Sequence, residues 1–240
     1  MTTTDLVILD HVSGINATAL QAFASALDEQ INEDVAPAWG RFVTPWVGTN
    51  EAVLSPNAWR LHIWKDQQSA ADAGALGHHE TQGKDHVPIG HVFIKSCVDD
   101  GETWTTVASH EALEMVGDEW INLDVTRIVG HRIQLWPREL CDAVQGTHYM
   151  KRGVLMSNFV LPEYFIDGAD GPFDQMHILH RPFEIHHTGY SAIREITNAH
   201  VRERAIYGAA YPEAKKEPRK FSRRASRFAA RACGFVSAVV

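Results

Sequence analysis

Residues Thr103 to Trp120 read TWTTVASHEALEMVGDEW, and this stretch constrains the fold more than any other part of the chain. His110 and Glu114 are one helical turn apart, so on a helix they leave the same face and can grip one ion together. Glu111 points roughly sideways from that pair, within reach of a water on such an ion. The spacing predicts a helix. Val107, Ala108, Ala112, Leu113, Met115 and Val116 cover one broad side, and His110, Glu111, Glu114 and Asp118 gather on another. Thr105, Thr106 or Ser109 supplies the N-cap, and Gly117 the stop. No Lys or Arg lies between Thr103 and Trp120, and such an uncompensated cluster suits a cation better than plain water.

A third ligand has two candidates. Glu139 follows Glu114 in Arg127 to Asp142, where RIVGHRIQLW reads as a strand or hairpin arm and PRELCD follows it. Glu139 and Asp142 are one helical turn apart, which suits a ligand and a carboxylate that orients the histidine. The same pair also suits the N-terminal dipole of a helix. Asp118 is the rival, as alternate ligand or as support for the ligands. On an unbroken helix its Cα lies about 12 Å along the axis from that of His110, so it qualifies only if the chain turns back at Gly117.

Elsewhere the patterns are mixed. Leu6 to Leu9, Arg41 to Val47, Trp59 to Trp64, Val87 to Cys97 and Gly153 to Phe165 read as strands, the last ending at Pro162. Asn16 to Asn32 and Ser191 to Tyr207 read as helices, the second with Ile193, Ile196, Val201 and Ile206 toward a core. Asp66 to Gly83 suits an exposed loop. His78, His79 and His86, in or beside it, could be metal ligands, and His177, His180, His186 and His187 could make a second metal site, but neither group fits a ligand spacing. The alternation of strands and helices predicts an α+β domain over residues 1–210.

With 240 residues, 45% of them hydrophobic, the chain can bury one good-sized core. The net charge of -8 is uneven: eight basic residues from Lys215 to Arg231 oppose Glu213 and Glu217. That leaves an acidic body, which argues against nucleic-acid binding by the main domain, and a basic tail over residues 211–240. The tail suits contact with an anionic surface or acidic partner, with Phe221, Phe228 and Phe235 at heptad spacing, or a solvated extension. Cys97, Cys141 and Cys233 are too scattered for a disulfide framework or a zinc ribbon. The start carries no signal-peptide pattern and no apolar span, so the expected compartment is the cytoplasm, or a virion.

The ordered blocks DVAPAWG, GALGHHETQG, WTTVASHEALEMVGDEW, ELCDAVQGTHY, GVLMSNFVLPEYF and RPFEIHHTGYSAI resemble a family of phage and bacterial proteins. Its hallmarks are close to SHELLEMLxDP, ExCDPV and FVxPxYF, and the resemblance spans roughly Ile31 to Tyr190. Glu119 and Ala143 stand where that pattern has Pro. The resemblance implies a zincin-like metallopeptidase fold, a small mixed sheet packed on an active-site helix. It also implies a third ligand on a second helix, and matches His110, Glu111, Glu114, Asp118, Glu139, Cys141 and Asp142.

The expected function is a zinc-dependent metallopeptidase acting on a peptide or protein substrate. His110, Glu114 and Glu139 hold Zn²⁺, Glu111 is the general base, and Tyr149, Tyr164 or Tyr190 faces the oxyanion. Two carboxylates with one imidazole form a hard site that also accepts Mn²⁺ or Ca²⁺. The alternatives are a catalytically inactive, metal-stabilised virion or accessory protein, and an interaction protein working through its tail.

Overall fold

The computed structural model describes residues 4–211 except 13, 70, 71, 73, 198 and 199; the basic tail lies almost wholly outside the described residues. Strand β1 (Thr4–Asp10) is central because Leu6, Val7, Ile8 and Leu9 are all buried, the unbroken apolar run of a strand covered on both faces. It pairs in parallel with β2 (Val43–Gly48) and β3 (Trp59–Trp64). Strand β5 (Val87–Phe93) runs parallel to β3, and β4 (Gly77–Gln82) runs antiparallel to β5. The sheet is therefore small and mixed, in the order β2-β1-β3-β5-β4.

Helix α1 (Ala17–Glu29) starts at Asn16, whose side chain accepts from the Thr18 amide, and buries Leu20, Phe23, Ala24 and Leu27. It runs into a π-helical stretch at Gln30–Val35, then the short α2 (Ala36–Trp39), which ends at left-handed Gly40. Gln30, fully buried, donates to Tyr149 Oη and the Ser157 carbonyl. Helices α3 (Ile94–Asp100) and α4 (Trp104–Gly117) follow β5. Next come the hairpin β6 (Asp124–Val129) and β7 (Arg132–Pro137), then the hairpin β8 (His148–Lys151) and β9 (Val154–Ser157). Last come β10 (Tyr190–Thr197) and β11 (His200–Tyr207), which join the first hairpin in an antiparallel sheet of order β11-β10-β7-β6.

The architecture is α+β, and several local readings are corrected. Ser191 to Tyr207 is a hairpin, not a helix. Ser191, Ile193 and Glu195 alternate inward, and Ile196 pairs across the strands with Val201, which is exposed. Buried Glu195 accepts from Gln134, so the period of two survives a polar residue in the interior. The Asp66 to Gly83 segment ends in β4, a polar strand whose pairing is imposed by β5. The Val87 to Cys97 strand stops at Phe93, where α3 begins, and it is an inner strand. Only Val154–Ser157 of the Gly153 to Phe165 segment is strand, with a 3₁₀ turn at Pro162–Phe165. Among the described residues no helix is long and apolar enough to cross a membrane.

Candidate metal centre

The N-cap of helix α4 is Thr103, ahead of the expected Thr105, Thr106 or Ser109, and it makes no side-chain cap bond. Thr105 instead donates to the Leu155 carbonyl, and the Ser109 hydroxyl accepts from the Ser157 amide at 2.8 Å, fastening the helix to β9. Nearly every residue from Thr106 to Gly117 is buried, so the acidic face meets protein rather than water. What it meets is β4. Gly77 and Gly90 allow that approach: a Cβ at Gly77 would stand 2.8 Å from the Glu111 carboxylate and from the His91 carbonyl. A Cβ at Gly90 would stand 2.8 Å from Leu61 and 3.6 Å from the Glu111 Cβ.

Strand alternation then aims His79 at the helix. Its Nδ1 lies 3.0 Å from Oε2 of Glu111 and 3.3 Å from Oε2 of Glu114, and its Nε2 lies 3.4 Å from Oε2 of Glu139. The other oxygen of Glu114 lies 3.0 Å from Nε2 of His110. Behind His110, Asp142 Oδ1 stands 3.5 Å from the same nitrogen. Glu114 thus spans two imidazoles. Two triads, His79 with Glu111 and Glu114, and His110 with Glu114 and Cys141, each place one ligand atom per residue within 4.8 Å of the others. The structure therefore contains His/Glu groups able to hold a metal ion.

The sequence-derived residues are distributed as follows. His110, Glu111 and Glu114 come together on α4. Glu139 reaches the cluster through His79, from an irregular segment rather than a second helix; only one 3₁₀ turn, Asp142–Val144, follows it. Gly117 brings that segment close, because a Cβ there would stand 2.5 Å from Leu140 Cγ. Asp142 faces the same Nε2 of His110 as Glu114 does, not the opposite ring nitrogen that an orienting carboxylate would hold. Asp118 is buried and accepts from the Leu123 amide at 2.8 Å, closing the turn after α4. Glu119 forms an ion pair with Arg41. Tyr149 donates to Asp34, Tyr164 is buried among Phe165 and Phe183, and Tyr190 packs on Tyr207 and Tyr211.

The electrostatics are those of a cage for positive charge. Burial by itself would strip the proton from His79, but the Glu139 charge and the bonds to Glu111, Glu114 and Glu139 hold its pKa well above the ordinary value. His110 is likewise raised: burial opposes the proton, and Glu114 and Asp142 outweigh it. Burial also works against the Glu114 charge, but His110 and His79 hold its carboxyl below the usual range. Burial and the Glu114 charge push Asp142 up to about 7. Burial keeps the Cys141 thiol protonated. The carboxylates thus favour positive charge at both imidazoles, a charge that a divalent ion would also satisfy.

Two members, His79 and Cys141, were not in the sequence-derived ligand set. His79 is 32 positions from Glu111 in the chain and reaches it only through strand pairing. No family model, no curated protein and no solved structure matches this chain.

Proposed function

We propose that the protein is a zincin-like metallopeptidase, a zinc-dependent hydrolase of peptide bonds. The observation that carries this reading is Glu114 spanning His110 and His79 beside Glu111, on a helix lying against the antiparallel edge strand of a mixed sheet. His110, Glu114 and Glu139 are the proposed protein ligands, with Asp142 as a further carboxylate beside the same nitrogen of His110. Their donor set of imidazole and carboxylate fits Zn²⁺ and also admits Mn²⁺ or Ca²⁺. The Oε1 atom of Glu114 faces Nε2 of His110 at 3.0 Å, the pair of donors that an ion at this centre would share.

A divalent cation bound there would polarise the scissile carbonyl and acidify a water. Glu111 takes a proton from the attacking water as its oxygen bonds to the carbonyl carbon. As the C–N bond breaks, Glu111 hands that proton to the leaving amine. Strand β4, at the end of its sheet, offers backbone groups along which an extended peptide can pair.

His79 decides between this reading and a second one. Three protein ligands leave an open position for chemistry, and four close the site as a structural centre. With His79 inside the cluster, the closed arrangement favours an inactive, metal-stabilised virion or accessory protein. Glu111→Gln is the test. In a peptidase it keeps ion content and fold and lowers casein or peptide hydrolysis by about 10²–10⁴-fold. A wild-type protein that binds one ion at this centre and hydrolyses neither casein nor a peptide library selects the structural reading.

A further inference from the structure

The alternation that turns His79 toward α4 turns His78 and Glu80 the opposite way, and His91 of β5 is the register partner of His78. His78, Glu80 and His91 each place one ligand atom within 4.8 Å of the others. Nε2 of His91 lies 3.6 Å from Oε1 of Glu80, and the two imidazole rings stack at 4.7 Å. Behind His78, Asp72 Oδ1 stands 3.6 Å from Nδ1, a carboxylate placed to orient the ring. The Trp64 indole N–H donates to Nδ1 of His91 at 3.1 Å, which puts the ring proton on Nε2, so this bond is exchanged when Nε2 takes an ion. Neighbouring His62, pushed down to about 3 by burial and then by His91 and His11, adds no positive charge. The side chains of His78, His91 and Glu80 are 14%, 19% and 51% exposed, so an ion can reach them from solvent.

We propose that His78, His91 and Glu80 form a second, separate divalent-cation site on the outer face of the sheet, with Asp72 as positioning residue. Two imidazoles with one carboxylate suit a borderline ion such as Zn²⁺, Ni²⁺ or Co²⁺, a softer set than the carboxylate-rich centre at α4. The ion staples the edge strand to β5 and so holds the backbone that presents His79 on the other face. This site does not rest on the peptidase reading.

Metal-stripped full-length chain is equilibrated with buffered Zn²⁺ and its ions are counted, and Co²⁺ absorption reports the ligand field. Wild type is expected to hold two ions. His78→Gln/His91→Gln is expected to hold one, His110→Ala/Glu114→Gln to hold one, and the combined variant none, all with unchanged circular dichroism. Glu80→Gln, at the most exposed of the three positions, is expected to weaken Zn²⁺ at the outer site at least tenfold while leaving the fold intact. The same ion count and Co²⁺ spectrum in wild type and in His78→Gln/His91→Gln would overturn the outer site alone. Loss of the single remaining ion only in the His78/His91 variant would uphold the outer site and sink the α4 centre.

Discussion

Gly117 shows two effects of opposite sign at one residue. Replacing a helical glycine by alanine ordinarily stabilises a helix by about 1 kcal/mol. Here the new Cβ would lie 2.5–2.9 Å from three carbons of buried Leu140, next to Glu139 and Cys141. Overpacking of this kind costs about 1–3 kcal/mol, so sterics win. Gly117→Ala is expected to lower Tm, by about 2–4 °C per kcal/mol for a chain of this size, and to weaken ion binding at α4. A calorimetric Tm above wild type would show that the segment carrying Glu139 is not pressed against the helix end.

The titrating residues carry a second expectation. His79 and His110 have folded pKa values above 6.5, so their contribution is complete below that value and is lost as pH rises through the raised values. Asp142, raised from 3.8 to about 7, has the same sign: its neutral form is favoured, and stability falls as pH climbs through that value. Glu114 has the opposite sign, but its contribution is lost only below 4.5. The chelator-treated protein is therefore expected to lose stability as pH rises from 3.8 to about 7 through Asp142 and above 6.5 through the two histidines, and added Zn²⁺ to restore more at the upper end, because ligands must shed protons to bind. Thermal melts with and without chelator check this, and a metal-free Tm that rises across the window contradicts it.

Among the elements, β4 matters most and announces itself least. GHHETQ has one β-branched residue and no large apolar one, so intrinsic preference does not mark it as a strand. It forms because β5 supplies a full register of six partners and α4 closes over Gly77 and His79. Gly77→Ala is expected to cost about 1–3 kcal/mol, because the Cβ meets the His91 carbonyl, which is backbone and cannot swing away. Faster amide exchange confined to β4 and β5 would check this. Uniform protection in the variant would show that the strand tolerates the side chain. The last hairpin, β10–β11, stands where the helical spacing of Ile193, Ile196, Val201 and Ile206 predicts a helix; in a strand Ile193 and Ile196 lie on opposite faces. Only Ile193 of these is buried, and the alternating burial belongs to the sheet.

At the scale of the whole molecule, the mixed sheet, α4 and the loops after β7 form one continuous apolar core that includes Val92, Leu113, Leu140 and Cys141. Both candidate cation sites hang on the β4–β5 pair, one on each face. Truncation after Tyr211 is expected to leave ion content, and any hydrolysis, unchanged, since every cluster residue precedes that point. It is expected to abolish binding to anionic vesicles at low salt, if the eight basic residues are what bind. Sedimentation with vesicles of mixed anionic composition measures this, and equal pelleting of both forms would assign the attraction to the folded body.

How far the site was legible follows from the range of the interactions involved. The i, i+4 spacing of His110 and Glu114, with Glu111 between them, is a local property of helices, and it survives into the fold unchanged. Strand β1 was equally legible because burial on both faces requires an apolar run, and β3 because its aromatic and β-branched residues favour a strand. Glu139 was reachable from spacing, but the helix expected to carry it does not form; Leu140 packing on Gly117 holds it there instead. His79 was beyond local pattern, since pairing between distant segments sets which histidine faces α4. A shift of one residue in that register would exchange His79 for His78 and turn the cluster inside out, so tertiary packing at Gly77 and Gly90 made the choice.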